Sequence, residues 1–169
     1  ISKGLVGSEM CIRDSHDAID PITQLYRAEY WKTQINKLQQ SGKSAVIAII
    51  DINNFSLFNQ KHGYTEGDRY LHDIAQLVIM NLRQQDLACR YAGDRFAILM
   101  PDVSPMQADV ILNDIKVSIQ HLAFRHSQNA NAIYTTARST QVTLLPNQRL
   151  ATVLNTMLLE LERAHGSAA

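Results

Sequence analysis

Two carboxylates in this sequence occupy positions from which a side chain could do chemistry. Asp94 follows Gly93 in a short polar stretch between two apolar runs, a pattern typical of a β-hairpin. Because glycine lacks a side chain, an acid beside it at a hairpin tip can project into a site with little bulk in its way. Asp51 ends the continuous apolar run 44–51, which predicts a buried strand. Ordinary hairpins also turn on Gly-Asp, and an acid after a strand can merely cap a helix, so both roles stay open.

The rest of the chain predicts the elements that would position these acids. The sequence pattern predicts helices at 27–40, 55–62, 65–82, 105–124 and 150–161. It predicts strands at 44–51, 87–91, 96–100, 133–138 and 142–144, and an exposed polar loop at 121–131. A strand joined to a hairpin through two helices, then a further helix and strand, is a ferredoxin-like order. The predicted fold class is therefore α+β.

Composition limits the classes of function. With 16 basic and 16 acidic residues the formal net charge is zero, so nothing general favours nucleic acid and we expect no nucleic-acid partner. The longest uninterrupted apolar run, 45–50, is far shorter than a membrane span. We therefore expect a cytoplasmic domain, in a parent chain that could carry a membrane anchor elsewhere.

The two ends of the chain set the expected domain boundaries. Residues 1–15 show neither helical nor strand periodicity, and the string LVGSEMCIRDS within them resembles translated sequencing-adapter sequence. We expect this leader to be non-native. The folded domain is expected to span residues 16–166, with residues 167–169 as a tail.

Four segments, in order, resemble the GGDEF domain family, the diguanylate cyclase domains of cyclic-di-GMP signalling. Residues 20–25 are similar to its N-terminal DPLTGL motif, and residues 51–68 follow DIDxFKxxNDxxGHxxGD. Residues 83–86 match the RxxD inhibitory motif, and residues 91–96 stand where YGGDEF belongs. The resemblance covers roughly residues 17–166, almost the whole chain after the leader. It implies the palm of the nucleotidyl cyclase type, in which helices flank a central, mostly antiparallel sheet.

The resemblance also implies a chemistry and a set of site residues. The reaction would be attack of a ribose 3′-OH on the α-phosphate of a second GTP, with one half-site from each domain of a homodimer. The family pattern assigns Mg²⁺ to the carboxylates of Asp51 and Asp94 and the carbonyl of Ile52, oxygen ligands that Mg²⁺ prefers. It assigns guanine recognition to Asn59 and Asp68, whose amide and carboxylate can pair with the base.

The RxxD motif implies a second nucleotide site at Arg83 and Asp86. A guanidinium can meet phosphate or guanine acceptors with two parallel hydrogen bonds, and a carboxylate can accept from guanine N–H groups. This pairing could hold cyclic-di-GMP without any catalysis. The alternative is a solvated salt bridge between the two side chains, which contributes little.

Departures from the family pattern predict a loss of catalysis. Arg95 replaces the signature Glu that the family needs for turnover, and a guanidinium there must turn away or displace the metal. Five further replacements alter the charge or donors of the site: Asn53 for Asp, Ser56 for Lys, Gln60 for Asp, Tyr64 for His, and Ser167 for a phosphate-binding Arg. Residues 133–140 also lack the family's SIGVA strand motif. Mg²⁺ binding is expected to be weakened accordingly.

We therefore predict a degenerate GGDEF domain that acts as a regulatory or dimerisation module. It would bind cyclic-di-GMP through Arg83 and Asp86, or GTP without turnover. An EAL phosphodiesterase or sensor domain is an expected attachment. Two alternatives remain: an active or weak diguanylate cyclase whose metals are carried by Asp51 and Asp94, and a structural coupling domain with no affinity for nucleotide.

Overall fold

A five-stranded sheet forms the centre of the computed structural model, which describes residues 18–126 and 134–166. The strands lie in the order β1-β3-β4-β2-β5, and β1 pairs parallel with β3 while every other neighbouring pair is antiparallel. Their bounds are β1 Tyr26–Arg27, β2 Ala45–Asn53, β3 Leu87–Ala92, β4 Arg95–Pro101 and β5 Thr136–Leu144. The α+β class and the mostly antiparallel sheet are thus confirmed.

Helices cover both faces of the sheet. Their bounds are α1 Ala28–Gln40, α2 Phe55–His62, α3 Tyr64–Asn81, α4 Pro105–His126 and α5 Leu150–Gly166. Because side chains alternate along a strand, Ile50 and Ile52 of β2 face a core shared with α2, α3 and α4. Ile47 and Ile49 face a second core shared with α1 and α5, and Asp51 continues this second row. Asp51 therefore lies near the end of β2, on the face of the sheet that α1 and α5 cover.

Several predicted elements differ from the observed ones. Residues 121–124 fall in both the predicted helix and the predicted loop, and 125–126 in the loop alone; all six belong to α4, because Leu122 and Ala123 continue its buried face. Residues 136–138 and 142–144, predicted in two separate strands, belong to the single β5, since pairing with β2 at the sheet edge holds its polar residues in register. The two-residue β1 was not predicted. The predicted leader 1–15, the tail 167–169, the loop residues 127–131 and residue 133 of a predicted strand lie outside the described residues.

The predicted hairpin joins β3 to β4, and its turn needs a left-handed backbone at Gly93, where φ is 50°. A register shift between Arg90 and Ala92 precedes that turn. Among the helices of the described ranges, none combines the length and apolar character required to cross a membrane.

Candidate functional site

Three charged side chains occupy neighbouring positions on adjacent strands at one end of the sheet. The strand register places Asp51 of β2 directly opposite Arg95 of β4 on one side and Arg138 of β5 on the other. Directly opposed residues of antiparallel strands project from the same face, so both guanidinium groups can approach the one carboxylate. The arrangement is therefore fixed by the backbone as well as by the side chains.

Both oxygens of the Asp51 carboxylate face a cation of the chain itself. Arg138 Nη2 donates to Asp51 Oδ2 at 2.5 Å, and Arg95 Nε lies 3.7 Å from Oδ1. The Asp51 side chain is only 8% exposed, and that of Arg138 is 19% exposed. Arg138 is also anchored at its other amino group, where Nη1 donates to the carbonyl of Leu161 in α5 at 2.9 Å. Arg95 thus does not turn away from the site, and Arg138 joins it there.

Asp94 belongs to the same charged cluster. Its carbonyl accepts a 3.1 Å hydrogen bond from the N–H of Ile52, which ties the hairpin tip to the end of β2. Burial raises the pKa of Asp94, and the neighbouring charge of Asp51 adds to the effect. A hydrogen bond from its own backbone and the charges of Arg95 and Arg138 offset only part of this rise. The cluster therefore contains two acidic side chains, Asp51 and Asp94, and two basic ones, Arg95 and Arg138.

This donor set does not fit the divalent cation that the resemblance implies. Mg²⁺ requires carboxylate oxygens at about 2.0–2.1 Å in near-octahedral geometry, and the two oxygens of Asp51 already face Arg138 and Arg95. Within residues 18–126 and 134–166, no three acidic, histidine or cysteine side chains are grouped so as to hold a metal ion. The sequence predicts Asp51, Ile52 and Asp94 as metal ligands, and this assignment stays a prediction; in the structure the carboxylate of Asp51 is paired with two arginines.

The predicted guanine-binding residues lie on neighbouring helices. Asn59 of α2 packs its side chain against Gly67 of α3, so closely that a Cβ atom at Gly67 would overlap Asn59 Oδ1. This Oδ1 atom is buried and has no hydrogen-bond partner within the described residues. Asp68 follows Gly67 directly and is exposed. Asn59 therefore carries a buried, unsatisfied amide oxygen, and Asp68 carries an exposed carboxylate one residue after the glycine that Asn59 contacts. Both groups are hydrogen-bond acceptors.

The RxxD pair is a partly buried structural contact. Asp86 has no exposed surface, and its carboxylate accepts from the backbone N–H, Nε and Nη2 of Arg83 at 2.8, 3.1 and 2.7 Å. The same guanidinium donates to the carbonyls of Pro101 at 2.7 Å and Asp102 at 3.4 Å. Hydrogen bonding to Asp86 raises the pKa of Arg83. The pair is thus not the solvated salt bridge of the alternative interpretation, and most of its donors are engaged within the chain.

A further ion pair connects the N-terminal motif with the hairpin. Arg90 Nε donates to the carbonyl of Gly93 at 2.8 Å, and Arg90 Nη1 lies 3.3 Å from both carboxylate oxygens of Asp20. Burial alone would raise the pKa of Asp20, but hydrogen bonds from Thr23 and the charge of Arg90 outweigh it and lower the pKa. The turn at residues 20–25 is therefore fastened to the tip that carries Asp94.

Arg138 is the site residue that sequence reasoning missed. The segment around it lacks the expected family motif and reads as polar, and its partner is 87 positions away in the chain. Only the pairing of β5 with β2 reveals that it stands opposite Asp51. A basic residue in a strand predicted to lie beside an acidic strand end is the signal that could have drawn attention to it.

Comparison with known proteins gives a consistent family match. The family model described as "Diguanylate cyclase, GGDEF domain" matches residues 17–165. Among curated proteins, the probable diguanylate cyclase DgcJ of Escherichia coli K12 is 32% identical over 108 residues, which cover 62% of this chain and 22% of DgcJ. The chain spans less than a quarter of the length of the first three curated relatives that it matches.

Solved structures share the fold. The coiled coil and GGDEF domain of DgcB from Caulobacter crescentus, in complex with c-di-GMP, superposes with a TM-score of 0.80 at 21% identity, covering 94% of this chain and 85% of that one. The S helix-GGDEF-EAL part of LapD from Vibrio cholerae, bound to c-di-GMP, gives a TM-score of 0.71 at 16% identity, covering 86% of this chain and 34% of that one. At these identities the two structures establish the architecture of the chain.

Proposed function

Because this chain belongs to the diguanylate cyclase GGDEF domain family, we propose that it serves cyclic-di-GMP signalling as a regulatory module that does not make the dinucleotide. One observation supports this above the others. The carboxylate that the family pattern assigns to the metal, Asp51, is ion-paired on one side with Arg138 and on the other with Arg95.

The charge balance explains why turnover is not expected. Phosphoryl transfer depends on positioning and on a divalent cation that neutralises charge developing on the phosphate oxygens. Here two guanidinium groups surround the carboxylate that would hold such a cation, and Arg95 occupies the position of the signature Glu. With Asp51 and Asp94 balanced by Arg95 and Arg138, a dication would meet a neutral cluster instead of a negative one.

Cyclic-di-GMP is the first ligand that we propose, bound at the RxxD motif. Arg83 keeps 31% of its side chain exposed, and its longest hydrogen bond is the 3.4 Å contact from Nη1 to the carbonyl of Asp102. This exposed Nη1 could be redirected to a phosphate or guanine acceptor. Asp86 would then act as a positioning residue that orients the guanidinium, since its own carboxylate is buried.

GTP held without turnover is the second ligand, and one observation favours it. The unsatisfied, buried Oδ1 of Asn59 and the exposed carboxylate of Asp68 are two acceptors that could pair with the N1–H and N2–H₂ groups of a guanine. Such a site recognises the base without needing a metal. Its phosphate contacts would be weak, because Ser56 stands where the family has a lysine.

The remaining partners are proposed from the family and from the small share of each relative's length that this chain covers. We propose a homodimer in the cytoplasm, attached to further domains that carry the input or output. An EAL phosphodiesterase domain is one such attachment, as in LapD, where a GGDEF domain precedes an EAL domain.

A product assay paired with calorimetry tests this proposal. With GTP and either Mg²⁺ or Mn²⁺ we expect no cyclic dinucleotide, while cyclic-di-GMP binds the wild type and loses affinity for Arg83→Ala. Arg69→Ala is the matched control, because it removes an exposed guanidinium paired with Glu66, and it should bind as the wild type does. Product formation that Asp94→Asn abolishes would establish the cyclase alternative. Absence of product, together with no binding of either cyclic-di-GMP or GTP in calorimetry, would leave the structural coupling domain.

A further inference from the structure

We propose that Arg138 is a built-in counter-ion that keeps divalent cations away from Asp51, and that it does so more strongly than Arg95. This deepens the proposed function and rests on it, because a site that excludes the metal is also one without metal-dependent turnover. The two can be separated, since metal binding and product formation are measured independently.

The position of Arg138 is set in advance by contacts at both of its amino groups. Nη2 donates to Asp51 Oδ2 at 2.5 Å, while Nη1 donates to the Leu161 carbonyl of α5 at 2.9 Å. The strand register places the backbone of Arg138 directly opposite Asp51. A charge-assisted bond between partners that are already positioned costs little side-chain entropy, unlike an ion pair between two flexible surface groups.

Arg95 contributes less, although the sequence points to it first. Its Nε lies 3.7 Å from Asp51 Oδ1, beyond hydrogen-bonding distance, and its side chain is 26% exposed. Arg138 is both closer and more deeply buried. Restoring the family's acid at position 95 alone would therefore leave Asp51 paired with Arg138.

The two guanidinium groups oppose a metal through their positive charge. A dication entering between Arg95 and Arg138 would meet two like charges at short range and one oxygen already in a short hydrogen bond. Removal of the Arg138 charge is the change that should admit it.

Manganese titration of the full chain tests the proposal. Mn²⁺ alone is added without nucleotide, and its bound fraction is read from the electron paramagnetic resonance signal of the free ion. The wild type and Arg95→Glu are expected to bind only weakly. Arg138→Gln combined with Arg95→Glu is expected to bind at least about tenfold more tightly, because two cations are removed and one acid is gained. Arg138→Gln alone should lie between them.

Two controls make the result specific. Arg69→Ala frees an exposed carboxylate, that of Glu66, and should leave Mn²⁺ binding at the wild-type level. Arg138→Lys keeps the positive charge and should also exclude the metal. Circular dichroism verifies that each variant is folded, and glutamine is chosen at 138 because it removes the charge and keeps a polar side chain. If Arg138→Gln does not fold, two double variants still test metal exclusion: Arg138→Lys with Arg95→Glu, and Asp51→Asn with Arg95→Glu. The first keeps the positive charge at position 138 and the second removes the carboxylate, so the proposal requires both to bind Mn²⁺ at the wild-type level.

The outcomes that overturn the inference are distinct from those that overturn the proposed function. Tight Mn²⁺ binding by the wild type that Asp51→Asn abolishes would refute it, as would a double variant that binds no better than Arg69→Ala. Synthesis of cyclic dinucleotide by a wild type that binds no Mn²⁺ in this assay would refute the proposed function alone.

Discussion

The carboxylate of Asp86, which has no exposed surface, is held by Arg83 through three hydrogen bonds, one from the backbone and two from the side chain. The spacing RxxD allows this because Arg83 and Asp86 are three positions apart at the turn into β3. The motif that the family associates with a ligand is therefore also a structural element of this chain.

Arg83→Ala should destabilise the fold as well as any ligand site. The substitution leaves Asp86 buried with only its backbone donor, and breaking a buried pair typically costs 3–5 kcal/mol. Since the Arg83 side chain is about a third exposed, we expect a smaller loss, about 2–3 kcal/mol in the free energy of unfolding, from urea denaturation. Arg69→Ala, which breaks an exposed pair, should cost less than about 1 kcal/mol. Equal losses in the two variants would contradict a structural role for Arg83.

Asp51 and Arg138 should be energetically coupled. Asp51→Asn leaves Arg138 and Arg95 without their anion, and Arg138→Gln leaves Asp51 short of its closest donor. In a double-mutant cycle we expect an interaction energy of about 1–3 kcal/mol, the range for residues in direct contact, from the unfolding free energies of the four proteins. A value within about 0.5 kcal/mol of zero would mean that the ion pair contributes nothing to stability.

The periodicity of apolar residues made much of this fold predictable, whereas the pairing register of the strands could not be predicted. The buried strand that ends at Asp51 and the hairpin that carries Asp94 are short apolar segments with clear boundaries, and both are present. Arg138 lies on an edge strand whose residues are mostly polar and half-exposed, so its apolar pattern is weak. Its role depends on which residue of β2 it faces, and a shift of one position would have turned it to the other side of the sheet.

Stability should fall in acid as the Asp20 network is lost. The pKa of Asp20 is lowered in the folded chain, so its contribution is present above its unfolded value of 3.8 and disappears as the pH falls through the folded pKa. Asp20→Asn weakens the bonds to Thr23 and Arg90, and we expect a loss of about 1–2 kcal/mol at pH 7. Urea midpoints of the wild type and variant should converge as the pH is taken below about 3.8. A difference of constant size from pH 7 to pH 3 would exclude this linkage.

Gly67→Ala should separate guanine recognition from stability. A Cβ atom at this position would overlap Asn59 Oδ1, so the amide must rotate out of its present place. The displaced atom belongs to the end of a side chain, and alanine favours the helix by up to about 1 kcal/mol over glycine, so the unfolding free energy should change little. GTP affinity measured by calorimetry should nevertheless fall, by about tenfold if one hydrogen bond to the base is lost. Gly166→Ala is the matched control, because nothing lies near its new methyl group, and it should bind GTP as the wild type does. Undiminished GTP binding by Gly67→Ala would show that Asn59 does not contact the base, and would leave cyclic-di-GMP at Arg83 as the ligand to pursue.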